Sequence, residues 1–144
     1  MSNTTAPIHV WFESGTDNGD EVRRLICEGA AGHSGGRAES WWRLPGISNL
    51  PPPAVLDAFV CGHVLWAAML GRDLVIHGPI SQEGMYNMGQ LLEIRHALSP
   101  ERYARPIAVI PDQVIASPRP PHHSRLAIGA ISGGIDSTFT VVRH

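Results

Sequence analysis

The sequence predicts an α/β unit over residues 1–116, joined by a short linker to the opening strand, loop and helix of a second, parallel-sheet domain. Three observations carry this. Short β-branched and aromatic runs alternate with two longer segments of helical apolar spacing. A cluster of prolines separates these from the rest of the chain. Beyond the prolines, an uncharged apolar run ends in a glycine-rich turn.

The elements follow in order. Ile8 to Glu13 reads as a strand, and Ser14 to Asp20 as a turn cluster. Glu21 to Ile26 fits either a second strand or a helical turn. Gly29 to Gly36 is loop by its glycines, and Trp41 to Leu44 is a strand closed by Pro45-Gly46. Pro51-Pro52-Pro53 stops what precedes it and permits a helix behind it. Within Ala54 to Leu70, apolar residues at 55, 56, 59, 60, 64, 65, 68 and 69 define a helix with a wide buried face. Asp57, Gly62 and His63 interrupt this short run, so it reads as a buried helix and not a membrane span.

Leu74 to His77 is the next strand, ended by a Gly78-Pro79 turn. Ser81 caps a second helix to about Ala97, with Met85, Met88, Leu91, Leu92 and Leu98 on its inner side. Ser99-Pro100-Glu101 begins another helical turn. Ile107 to Ile110 and Gln113 to Ala116 read as two further short strands. Residues 117–124 form the linker, with three prolines between Ser117 and His123, and residues 125–144 begin the second domain.

Composition narrows the function classes. The 144 residues are 43% apolar and 17% charged, a globular balance. The net charge of -2 offers no polybasic footprint for nucleic acid or an anionic membrane. All eleven basic residues are Arg, which removes every lysine-based mechanism from the chain. Met1 to Pro7 lacks the basic and apolar regions of a signal peptide, and Cys27 and Cys61 read as free thiols, so a cytoplasmic location is expected.

The chemistry concentrates after Leu126 to Ile131, in Ser132-Gly133-Gly134-Ile135-Asp136-Ser137. Paired glycines let the backbone turn tightly and bring amide N–H groups close to a ligand. A following helix adds unpaired N–H groups and the positive end of its dipole. Together they favour an anion at the carboxyl end of a strand. Ser132 and Ser137 add hydroxyl donors, and Asp136 beside a phosphate implies a bridging Mg²⁺. A Walker A loop is excluded by the missing Lys, and the dinucleotide fingerprint by the spacing of Gly129, Gly133 and Gly134. A nucleophile elbow centred on Ser132 is nearly met, with Ala130 in place of the first Gly, but leaves Asp136 and Ser137 without a role.

This segment resembles the signature of the PP-loop (N-type ATP pyrophosphatase) superfamily, in its 7-cyano-7-deazaguanine synthase-like and asparagine synthetase-like branches. The resemblance covers about 19 residues, and all six motif positions match. It implies an adenine nucleotide α-hydrolase-like (HUP) parallel sheet and an ATP-dependent ligase or synthetase. Such enzymes transfer AMP to a carboxyl or carbonyl oxygen and release pyrophosphate. It also implies that Ser132, Gly133, Gly134, Ile135, Asp136 and Ser137 hold the pyrophosphate portion of ATP, with Asp136 on its Mg²⁺. The segment Asp73 to Ile80, the helix after it and Arg102-Tyr103 resemble the leader of some bacterial PP-loop proteins. The deazaguanine synthase itself has its loop near its N-terminus, and Ser2 is not the N-terminal Cys of a glutamine amidotransferase.

Seven residues follow Ser137, so the expectation is an N-terminal part of a longer protein, cut at His144 and inactive alone. The rival expectation is a non-catalytic α/β interaction module, with a Ser132 hydrolase third. Gly32-His33-Ser34-Gly35-Gly36 mimics an elbow but lacks the preceding apolar strand. His122-His123 and the Cys61, His63 pair lack zinc spacing and read as ordinary side chains. Of the adjacent Trp41 and Trp42, one must face the core of its sheet.

Overall fold

A computed structural model describes residues 6–29, 36–103 and 105–117. They form a five-stranded mixed sheet with two helices on one face, which bears out the α/β class of the leading unit. The linker beyond Ser117 and the strand, loop and helix expected over residues 125–144 lie outside the described residues.

β1 (Ile8–Asp17) and β2 (Asp20–Glu28) form an antiparallel hairpin. Its turn is Asn18-Gly19, with φ of 51° and 87°, the positive pair demanded by a two-residue turn whose twist matches the strands. The turn expected across 14–20 thus shrinks to two residues, and β1 runs four residues beyond Glu13. Of the two readings of 21–26, the strand is correct. β3 (Arg37–Leu44) pairs antiparallel with β2 and begins four residues before Trp41.

α1 (Asp57–Met69) starts later than expected, at Asp57 rather than Ala54, because Leu56 is held by Pro79: its N–H donates to that carbonyl at 2.9 Å. β4 (Leu74–Ser81) runs through Gly78-Pro79, which the sequence reading treats as a turn. A register shift against β5 between Ile76 and Pro79 takes up the irregularity, and a bulge is where a strand tolerates proline. α2 (Gln82–Leu98) is capped as expected, with Ser81 Oγ accepting from the Gly84 N–H at 2.8 Å. Leu98 is 72% exposed, which corrects its placement on the inner side. β5 (Val109–Ile115) is one strand where two were expected. It is an edge strand, so Pro111 is tolerated in it.

The strand order is β3-β2-β1-β4-β5, with β1, β4 and β5 parallel. Side chains alternate between faces along each strand. Ile8, Val10, Leu25, Cys27, Leu74, Ile76 and Ile80 point to the helices and pack on Val60, Val64, Ala67 and Met88, all buried. The opposite face has no helix on it among the described residues. No described helix is long and apolar enough to cross a membrane.

Three polar devices anchor the periphery. Asp57 accepts from both the backbone N–H and the hydroxyl of Ser81, joining the N-termini of α1 and α2. Arg72, 5% exposed, donates to the carbonyls of Ala6, Pro7 and Gly29. Arg23 and Glu21 are buried together, 2.8 Å from Nε to Oε1, at an angle that makes an ion pair without a hydrogen bond. Arg23 Nη2 donates to the carbonyls of Leu50 and Pro51, closing the 45–56 segment over the hairpin.

Candidate functional site

The sequence-derived site, Ser132 through Ser137 with Asp136 as cation ligand, lies outside the described residues, as do His122-His123. Of the glycine-serine decoy only Gly36 is described. The described chemistry therefore belongs to side chains that the sequence reading left unassigned.

The principal group straddles the seam between parallel β1 and β4, on the face away from the helices. His9 and Trp11 project from β1 by alternation with the buried Ile8 and Val10. His77 projects from β4 by alternation with the buried Ile76. In the parallel register Trp11 lies opposite His77, and their rings stack at 4.5 Å between centroids, 13° apart. His9 Nδ1 and His77 Nε2 are 3.0 Å apart, with ring planes within 11°. On the other side of His77, its Nδ1 is 3.5 Å from Oδ1 of Asp112 on β5.

The tautomers of the neutral rings follow from these contacts. A neutral imidazole carries one N–H. The carboxylate of Asp112 favours that proton on Nδ1 of His77, so Nε2 of His77 presents a lone pair to His9. His9 donates from Nδ1 and keeps Nε2 as a free acceptor. Three strands thus align a carboxylate and two imidazoles in one row. Sequence spacing could not reveal it, because residues 9, 77 and 112 meet only through strand order. The available signal was His9 and His77 each next to a buried apolar position in a strand.

A second pair lies under the helices, at the far edge of the sheet. Ser40 Oγ on β3 and His63 Nε2 on α1 are 3.1 Å apart, and His63 Nδ1 donates to the Phe59 carbonyl at 3.2 Å. Burial lowers the His63 pKa below its ordinary value, while the bond to Phe59 opposes the shift. Nε2 of a neutral His63 therefore accepts a hydrogen bond from the Ser40 hydroxyl, which ties edge strand to helix. Burial also raises the neighbouring Cys27 thiol to about 11, leaving it protonated and inert. Cys61, on α1, is exposed and reaches neither His63 nor Cys27 by hydrogen bond.

The groove between α1 and α2, of about 560 Å³, is lined by Asp57, Cys61, Ser81 and Met88. Its carboxylate is already occupied by the backbone N–H and hydroxyl of Ser81, the residue that caps α2. Among the described residues no group of three or more His, Cys, Asp or Glu side chains is arranged around a single metal position. Trp42 meets Phe59 edge-on at 5.0 Å on the helix side, while Trp41, 62% exposed, stands on the open face. In comparisons with known proteins, no family model, curated protein or solved structure matches this chain.

Proposed function

We propose that this chain contributes the pyrophosphate-binding loop of an ATP-dependent adenylating ligase or synthetase. Such an enzyme activates a carboxyl or carbonyl group as an adenylate and releases pyrophosphate. One observation carries the reading: Ser132-Gly133-Gly134-Ile135-Asp136-Ser137 directly follows the apolar run Leu126 to Ile131. The donor set suits the ligand. Gly133 and Gly134 offer unobstructed amides, Ser132 and Ser137 offer hydroxyls, and Asp136 supplies the hard oxygen that Mg²⁺ prefers. Bound Mg-ATP would supply the activated phosphoanhydride; the residues named would grip and orient its pyrophosphate end.

In this reading the unit over residues 1–116 is an accessory domain for substrate or partner contact. Its sheet face away from the helices, carrying His9, Trp11, Trp41 and His77, supports that role.

The test uses the full natural protein, titrated with Mg-ATP and with Mg-pyrophosphate as competitor. Asp136→Asn and Ser132→Ala should each weaken Mg-ATP binding at least about tenfold, the loss of one charged or charge-assisted contact. The circular dichroism spectrum should not change. Wild-type affinity in the double variant would reject the proposal and favour a non-catalytic interaction module. Covalent labelling of Ser132 by a fluorophosphonate would favour a hydrolase instead.

A further inference from the structure

We propose that His9 and His77 form a two-imidazole clip for a divalent transition-metal ion such as Zn²⁺ or Cu²⁺, with Asp112 as the positioning residue behind His77. The inference stands on the described residues alone and is independent of the adenylation reading.

The spacing is the first argument. Two nitrogens bound cis to one ion, each about 2.0–2.1 Å from it, are roughly 2.9–3.4 Å apart. His9 Nδ1 and His77 Nε2 are 3.0 Å apart. The terminal ring torsion of histidine is broad, and rotation of both rings out of their nearly parallel arrangement, 11° apart, turns the two lone pairs toward a common point above the sheet.

The carboxylate is the second. Metal-bound histidines commonly donate their other ring N–H to a carboxylate, which fixes the tautomer and raises ligand basicity. Asp112 Oδ1 lies 3.5 Å from His77 Nδ1, longer than a hydrogen bond but on the side where it favours the ring proton on Nδ1, which leaves His77 Nε2 as the ligand atom. On binding, the ion replaces the proton shared between the rings. The N–H of His9 moves from Nδ1 to Nε2, which frees Nδ1 as its ligand atom.

The surroundings are the third. The strands that carry the two rings are hydrogen-bonded neighbours, so little ordering is needed on binding. The Trp11 ring, stacked 4.5 Å from His77, shields one side of that imidazole from water. The side chain of His77 is still 29% exposed, which leaves an approach for the ion and room for water to complete its coordination.

The experiment titrates the purified chain with Zn²⁺ and Cu²⁺ against a chromophoric chelator. A single site is expected, with Cu²⁺ tighter than Zn²⁺. His9→Ala or His77→Ala should weaken it at least about tenfold, and Asp112→Asn should weaken it about tenfold, at the low end for a supporting carboxylate. His122→Ala with His123→Ala should leave it unchanged, which separates the clip from the linker histidines. Cu²⁺ should quench tryptophan fluorescence through Trp11, and Trp11→Phe should remove that quenching while retaining the site. Undiminished binding in the His9→Ala, His77→Ala double variant would overturn the proposal, as would no binding at about 100 μM free ion.

Discussion

Along β1 and β4 the two faces of the sheet follow opposite rules, whereas on β2 the apolar Val22 and Ile26 are buried on the face away from the helices. On the helix side, Ile8, Val10, Leu74 and Ile76 are fully buried and contribute through the area they remove from water. On the other side, His9, Trp11 and His77 sit at neighbouring positions of the same strands, yet they remain partly accessible and meet through ring stacking and a nitrogen–nitrogen contact. Adjacent residues of a strand thus separate stability from chemistry. Ile76 and His77 make the sharpest pair. Ile76→Ala should lower unfolding free energy by about 2–5 kcal/mol, since the site is enclosed by both sheet and helix atoms. His77→Ala should change it by less than about 1 kcal/mol, as expected of a partly exposed position. Urea denaturation of the two variants measures both; equal losses would abolish the distinction.

How much of this could be read beforehand differs by region. The periodicity of Ala54 to Leu70 and the Ser81 cap were legible because helix signals are local. Element ends were less so. The Asn18-Gly19 turn was present in the sequence but lay within a longer run of turn-forming residues. Gly78-Pro79 has the composition of a turn, yet the Leu56 N–H bond to the Pro79 carbonyl and the pairing with β5 keep it in strand. The PP-loop resemblance concerns residues 132–137, outside the described region, and the structure neither adds to it nor subtracts from it. The His9–His77–Asp112 row was not legible at all, because only the order β1-β4-β5 brings those positions together.

The helix side also holds polar contacts, and these break the simple contrast. A Cβ added to Gly84 would lie 2.5 Å from the Asp57 carboxylate that holds the α2 cap residue Ser81. Gly84→Ala would gain about 1 kcal/mol of helix propensity in an open site. Here the carboxylate must move off the Ser81 N–H and hydroxyl, so a net loss of about 1–3 kcal/mol is expected. A raised thermal midpoint in this variant would show that the Asp57 bridge is dispensable.

His63 gives the helix side a pH dependence. Its folded-state pKa lies below the ordinary value because of burial. Stability from the neutral ring is therefore present above the unfolded-state pKa, about 6.5, and is lost as pH falls from there toward the folded-state value. Below that lower value the loss is complete and the slope vanishes. Comparing urea midpoints at about pH 7.5 and 5.5, the wild type should lose more than His63→Gln, which carries no titrating group there. Identical losses would mean that the Ser40–His63 contact does not discriminate against the protonated ring.

The smallest effect belongs to the open face and completes the contrast. Arg24 Nε and Glu39 Oε1 are 3.2 Å apart across β2 and β3, with side chains 46% and 42% exposed. Water screens such a pair, and holding two long side chains in one geometry costs entropy that offsets much of the attraction. Glu39→Gln should therefore cost no more than about 0.5 kcal/mol, and less still at high salt, where the Debye length shrinks to about 3 Å at 1 M. The contrast with Arg23 is informative because it lies one residue away on the same strand. There the ion pair with Glu21 is buried, and Arg23→Ala would leave a carboxylate without its cation beneath the 45–56 segment. A salt-insensitive loss at Glu39 comparable to that at Arg23 would mean that something covers the open face in solution and excludes water from it.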